Sequence, residues 1–290
     1  MTGLKPEHIQ RYMSEKLASG RANGKGEPSP RTVRHHYVTL HTALGYAVKL
    51  GLLNYNVADR VNPPRFQRHQ WQSLSEFGVS SVLEAARDSH YYPVFYLALY
   101  TGLRRSEILA IRWCDVALLL CRLRVTRSLH QLPGGESTIR ATKSERSSRV
   151  VSLPPSAAQV LQEHKEEQAS QIAEIGRELR KDDLVFSDPK DRPLRPDTVT
   201  HAWLKLVRRI GLDVVRLHDA RHTHTSLMLK QGVHPKITQE RLGHASIQLT
   251  LDTYSHVAPG LQEAAAAGFD KMISPRHEDE AITQGLLTNY

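Results

Sequence analysis

The paired prolines in VNPPRFQRHQW, Pro63 and Pro64, constrain the chain more than any other feature. Each lacks a backbone N–H and fixes its φ, so no helix runs through them, and the charges around them oppose burial. The stretch reads as an interdomain linker over about residues 62–72. It divides the 290 residues into two units, each long enough for a core of its own. Residues 1–68 are expected to form a small all-helical domain, residues 69–260 a second, mainly helical domain with a small antiparallel β-sheet, and residues 261–290 a tail containing a helix. The fold class is mainly α, of α+β type.

Charge follows the same division. The chain carries 39 Lys and Arg against 30 Asp and Glu, a formal charge of +9. Residues 1–68 hold 11 basic and 4 acidic residues, so +7 of that charge sits in the first unit. A polyanion-binding module accounts for this bias, and a solvated basic face is the plainer alternative. Cys114 and Cys121 lack a pair spacing that suggests zinc or redox chemistry and are expected to be buried thiols. No run approaches the roughly 18 apolar residues of a membrane span, and no signal peptide opens the chain, which points to the cytoplasm.

Within the first unit, residues 6–19 read as a helix. A longer one follows Pro30, with Val33, Tyr37, Leu40, Leu44 and Val48 at amphipathic spacing and Gly51 near its end. GRANGKGEPSP between them reads as a loop. The second unit is expected to open with helices near 75–87, 91–100 and 104–112. Three β-type runs follow at 121–126, 137–141 and 149–153, with PGGE (133–136) as the turn between the first two. Helical patterns resume at Pro154, are interrupted by LVFSDP, and end in an Ala-rich helix around 261–271.

The stretch LHDARHTHTS carries the chemistry and has two readings. His218 and His222, four apart beside Asp219, come close to the H-E-x-x-H pattern of a zinc site. That reading needs a third ligand and a longer acid, and it places Arg221 between the two supposed ligands. The other reading is H-x-x-R, with His218 and Arg221 on one helix face presented to something anionic. TGLRRSEILAIRWCDV sets Arg104 after a glycine turn at a helix start, ATKSERSSRVVSL sets Lys143 at the tip between two β runs, and RLGHASIQLTLDTYSH carries His244 and Tyr254.

This order of Arg104, Lys143, His218-x-x-Arg221, His244 and Tyr254 resembles the tyrosine recombinase family, of phage integrase type, over about residues 30–257. The basic segment SPRTVRHHYVTLHTALGYAVKLGLLNYNVADRV is similar to that family's core-binding domain, and no arm-binding domain is expected in front of it. The resemblance implies a site-specific recombinase or integrase that cuts and rejoins duplex DNA through a covalent 3′-phosphotyrosyl bond, without metal, ATP or other cofactor. It assigns Tyr254 as nucleophile, Arg104 and Arg221 as phosphate clamps, Lys143 as general acid, and His218 and His244 as supporting groups. Glu107 and Asp219 are expected to orient the arginines and the local helix. Arg31, Arg34, His35, Arg65 and Arg105 are candidate DNA contacts, and Arg112, Arg146 and Arg149 read as backbone contacts or solvated charges.

The chemistry agrees with the residue types. A phosphodiester repels nucleophiles, so forked guanidiniums on its non-bridging oxygens offset the charge that builds in the transition state. A phenol with a pKa near 10 must lose its proton as it attacks, and the departing 5′ oxygen must gain one. Two alternatives stay open: a topoisomerase of type IB that relaxes DNA by similar chemistry, and a catalytically silent DNA-binding regulator. The resemblance also implies a tetramer on attachment or crossover sites, a tail helix around LQEAAAAGFDKM available to dock on a neighbouring subunit, and accessory DNA-bending proteins as partners.

Overall fold

The computed structural model describes residues 3–18, 26–66, 73–132, 135–141, 148–188, 190–212, 215–244, 246–254 and 261–273. The chain divides into two compact units, Met1–Gln70 and Trp71–Tyr290. Residues 67–72 of the expected linker, most of the GRANGKGEPSP loop, and both Lys143 and Arg146 lie outside the described residues.

The first unit is built on α1 (Pro6–Ala18) and α2 (Pro30–Lys49). Ser29 caps α2 by accepting a hydrogen bond from the Thr32 amide, and Pro30 follows with a φ already suited to a first turn. The helix stops at Gly51, whose φ of 71° lets the Leu52 amide reach back to the Ala47 carbonyl (2.9 Å) and its own amide to that of Val48 (3.0 Å). Ile9 and Met13 of α1 pack on Val33 and Leu44 of α2, and Val57, Ala58 and Val61 close the core from a short 3₁₀ turn, Val57–Arg60. Asn56 fixes that turn, accepting from the Ala58 amide and donating to the His41 carbonyl.

The second unit begins with α3 (Glu76–Ala86) and α4 (Tyr92–Thr101). Every residue from Val94 to Leu99 is buried, so α4 is apolar all round, and helices before and after it in the chain pack about it. Phe95 meets the fully buried Trp203 ring edge to face at 5.2 Å, and the Trp203 indole donates to the Val215 carbonyl. The helix expected at 104–112 shortens to α5 (Arg105–Ile108). The reason is tertiary: the Val185 amide donates to the Ile111 carbonyl and the Trp113 amide to that of Asp183, so this stretch pairs with a distant segment and leaves the helix.

The β region is richer than its sequence pattern. β1 (Val116–Ala117), β2 (Arg122–Val125) and β5 (Arg149–Ser152) form an antiparallel sheet in the order β1-β2-β5, with Leu123 opposite Val151. β3 (Arg127–Gln131) and β4 (Ser137–Ala141) make a separate hairpin. The expected single sheet is therefore two, the run before residues 133–136 is β3 and not the expected 121–126, and Pro133 and Gly134 of the expected turn lie outside the described residues. RSLHQ escaped notice because Leu129 is its sole apolar residue, too few for an alternation. The cysteine expectation also fails: Cys114 is exposed and Cys121 half-buried, since Trp113 takes the inward position of its turn and Cys121 stands at φ 48° in the tight connection into β2. Six helices complete the described residues: α6 (Pro155–Glu174), α7 (Pro196–Arg209), α8 (Asp219–Lys230), α9 (Pro235–Leu242), α10 (Ile247–Tyr254) and α11 (Leu261–Ile273). The fold class is as expected, mainly helical with small antiparallel sheets.

Candidate active site

The site starts where α4 ends. Gly102 closes the helix at φ 64°, a conformation that disfavours a side chain, and a Cβ there would lie 2.5 Å from the Leu242 side chain. This turn delivers Arg104 to the start of α5. Glu107, buried in the first turn, reaches back to accept from the Arg104 amide (2.9 Å) and from its Nη1 (2.9 Å). The Arg104 side chain is still 42% exposed, so the carboxylate aims the guanidinium without enclosing it.

α8 supplies the second arginine. Asp219 accepts from the Arg216 amide (2.7 Å) at the start of the helix. Arg221, 4% exposed, donates from Nη1 to the Gly102 carbonyl and from Nη2 to the Leu242 carbonyl, both at 2.7 Å. A guanidinium has five N–H donors, so these two bonds leave others for a ligand. Burial, and then the charge of Arg104, push the Arg221 pKa down to about 9, and it stays charged at neutral pH. Arg104 and Arg221 are thus neighbours, two cations held close together by a buried acid and two carbonyls.

The histidines are of the opposite kind. His218 stands exposed at the head of α8, where partial burial and the Arg221 charge hold its pKa below the ordinary value. His244 follows the left-handed Gly243 that ends α9, and its Nδ1 shares a 2.9 Å hydrogen bond with the buried Thr250 hydroxyl of α10. Burial and the charges of Arg221 and Arg104 push it down to about 3. Both imidazoles are therefore neutral at neutral pH. His222, the second histidine of the zinc reading, meets His218 edge to face at 5.4 Å and is pushed down to about 4 by burial. Among the described residues no group of three donors that could hold a metal ion includes them.

Tyr254 is the last residue of α10, and α10 packs on both α8 and α9, the helices that bear Arg221 and lead into His244. The candidate DNA contacts Arg31, Arg34, His35 and Arg65 are exposed in the first unit, with the Arg34 guanidinium 5.8 Å over the Phe66 ring. Arg105 is half-buried and donates through Nη1 to the Pro196 carbonyl (3.0 Å) and the Thr200 hydroxyl at the start of α7.

A supporting layer behind the clamps has no counterpart in the sequence reading. Arg149 is 8% exposed, not solvated, and binds both Glu107 oxygens. Arg241 donates to the carbonyls of Ser152 and Tyr100 and to His224 Nε2 (3.1 Å), while His224 Nδ1 donates to the Leu99 carbonyl. The carbonyls of Arg241 and Leu242, at the negative end of α9, accept from Arg149 Nε and Arg221 Nη2. Only the glycine before His244 hinted at this turn.

Comparison with known proteins agrees with this architecture. The model of the phage integrase family matches residues 69–260. The chain belongs to that family. Its enzyme class is accordingly that of the tyrosine-type site-specific recombinases. The recombinase is 32% identical over 248 residues to the ICEBs1 integrase of Bacillus subtilis, covering 84% of this chain and 67% of that one. It is 27% identical to a XerC-like tyrosine recombinase of Caldanaerobacter subterraneus over 88% of this chain and 68% of that one. In fold it is similar to the Tn1549 transposon integrase, solved in complex with transposon right end DNA (TM-score 0.76, 17% identity, 95% of this chain and 87% of that one). A lambda integrase tetramer bound to a Holliday junction superposes with a TM-score of 0.59 at 19% identity, over 87% of this chain and 65% of that one.

Proposed function

We propose that the recombinase cuts and rejoins duplex DNA at specific attachment or crossover sites through a covalent 3′-phosphotyrosyl intermediate. The observation that carries this reading is the adjacency of two guanidiniums, Arg104 on Glu107 and Arg221 on the Gly102 and Leu242 carbonyls, beside two neutral imidazoles and the helix that ends in Tyr254. The clamps hold the scissile phosphate by its non-bridging oxygens and offset the charge of the pentacoordinate transition state. The Tyr254 oxygen attacks phosphorus, its proton passing to a neutral imidazole; the bond to the 5′ oxygen breaks, and Lys143 protonates that oxygen. The phosphotyrosyl bond keeps the energy of the broken linkage, so rejoining reverses the same steps, and the reaction as proposed needs neither metal nor ATP.

The first unit grips the duplex through Arg31, Arg34, His35 and Arg65, whose exposure suits phosphate contacts that add salt-sensitive affinity. The division into a domain of residues 1–68, a catalytic domain of 69–260 and a tail is part of the proposal, as is a tetramer on DNA in which α11 docks on a neighbouring subunit. Accessory DNA-bending proteins and a cytoplasmic location complete it; among the described residues no helix is long and apolar enough to cross a membrane. The deciding experiment is Tyr254→Phe on a nicked suicide duplex. The variant is expected to bind DNA like the wild type yet form no SDS-resistant adduct, and an adduct formed without the hydroxyl would move the nucleophile elsewhere.

A further inference from the structure

We infer that Arg149 is a positioning residue for strand cleavage, the inner counter-cation that keeps Glu107 from neutralising Arg104 and ties the Arg104 clamp to the turn bearing His244. The inference rests on Arg104 acting as a phosphate clamp. Glu107 accepts four hydrogen bonds: two from Arg104, through its amide and Nη1, and two from Arg149, Nη1 to Oε1 at 3.2 Å and Nη2 to Oε2 at 2.9 Å. The carboxylate therefore lies between an outer guanidinium, 42% exposed, and an inner one, 8% exposed.

Charge decides what this sandwich does. Arg104, Glu107 and Arg149 together carry one net positive charge, and it resides on the exposed member, where a phosphate can reach it. Without Arg149 the remaining pair is neutral, and Arg104 faces a buried carboxylate with no other cation on it, which draws the clamp inward. Burial alone would push the Glu107 carboxyl up, but the Arg149 hydrogen bond and charge, followed by those of Arg104, hold it below the usual carboxylate range.

Geometry adds the second function. Arg149 Nε donates to the Arg241 carbonyl at 2.8 Å, so all three nitrogens of the fork have fixed partners. Gly243, two residues on, stands at φ 64° and packs so closely that a Cβ would lie 2.8 Å from Arg149 Nη1 and 3.0 Å from Cζ. His244 comes next. The planar fork thus sets the distance between the clamp and the histidine turn, which a lysine with the same charge cannot do.

The test compares covalent adduct formation on two nicked duplexes, one with an ordinary scissile phosphate and one with a methylphosphonate, whose missing non-bridging charge removes the need for a clamp. Arg149→Met is expected to cleave the ordinary substrate about 10²-fold more slowly than wild type, and to come within about tenfold of it on the methylphosphonate. Arg149→Lys retains a cation against the buried carboxylate, which keeps the protein folded if the Met variant is not, and is expected to show the same recovery from a defect of about tenfold. Equal defects on both substrates, for whichever variant folds, would overturn the inference by reducing Arg149 to a structural residue. Arg104→Ala runs alongside. If it recovers on the methylphosphonate and the Arg149 variants do not, the positioning role alone falls; if it does not recover, the clamp reading falls, and the inference with it.

Discussion

Gly102→Ala isolates the junction on which the site depends. The Gly102 carbonyl anchors Arg221, its φ of 64° turns the chain from α4 toward Arg104, and a Cβ would lie 2.5 Å from Leu242 Cδ2 and 2.8 Å from His224 Cδ2. A left-handed alanine costs about 1–2 kcal/mol by itself. The clash adds about 1–3 kcal/mol of overpacking, since Leu242 is fully buried and His224 is held at both ring nitrogens. The total, roughly 2–5 kcal/mol, corresponds to a fall in Tm on the order of 5–15 °C for a unit of this size. Gly211→Ala provides the control, because Gly211 has a comparable φ of 75° but nothing within 4 Å of its Cβ position. It is expected to lose only the backbone part, about 1–2 kcal/mol. Chemical denaturation of both variants and the wild type measures the difference, and adduct formation on a suicide duplex is expected to fall about 10²-fold for Gly102→Ala alone. Equal losses of stability at the two glycines would refute the packing argument, and full cleavage by Gly102→Ala would refute the anchoring of Arg221 through this turn.

Two further perturbations probe the chemistry and the buried layer. Lys143→Ala is expected to slow cleavage of an ordinary duplex about 10²- to 10⁴-fold, yet to cleave a 5′-bridging phosphorothiolate near the wild-type rate, because a thiol leaving group with a pKa near 8 or 9 departs without the proton that an alkoxide of pKa about 15 requires; equal defects on both would leave Lys143 as a phosphate contact. His224 is pushed down to about 4, by burial first and then by Arg241, and its ring bonds require the neutral form. The unfolded chain takes up its proton below about pH 6.5 and the folded one only below about 4, so stability is full above pH 6.5 and falls across that window as pH drops. His222 and His244, also pushed down, contribute over the same window, so His224→Gln is expected to make the dependence of Tm on pH between 6.5 and 4 shallower without abolishing it, and an unchanged slope would remove His224 from the account.

How much of this was legible in the sequence depends on what kind of group carries each role. Arg104, His218, Arg221, His244 and Tyr254 could be singled out because their chemistry resides in the side chain and their order along the chain is distinctive. The ends of α2 were legible for a similar reason, since Ser29, Pro30 and Gly51 act on the backbone locally. The misses share the opposite cause. α5 stops at Ile108 because the backbone beyond it pairs with residues near 183–185, and β3 exists because its backbone pairs with β4; no side-chain period records either event. Arg149 was read as a DNA-backbone contact or a solvated charge since one arginine among several looks the same wherever it points, and its partners include a carbonyl. The supporting layer is built largely from such carbonyls: Leu99, Tyr100, Gly102, Ser152, Arg241 and Leu242 each accept from an arginine or histidine. Every residue has a carbonyl, so which ones become ligands is set by the turn that exposes them. Here the turns are those of Gly102 and Gly243, and the two positive-φ glycines are the one trace of the layer that the sequence carries. The side chains proposed to meet the phosphate can be read from their order, whereas the backbone that aims them is specified only by the fold.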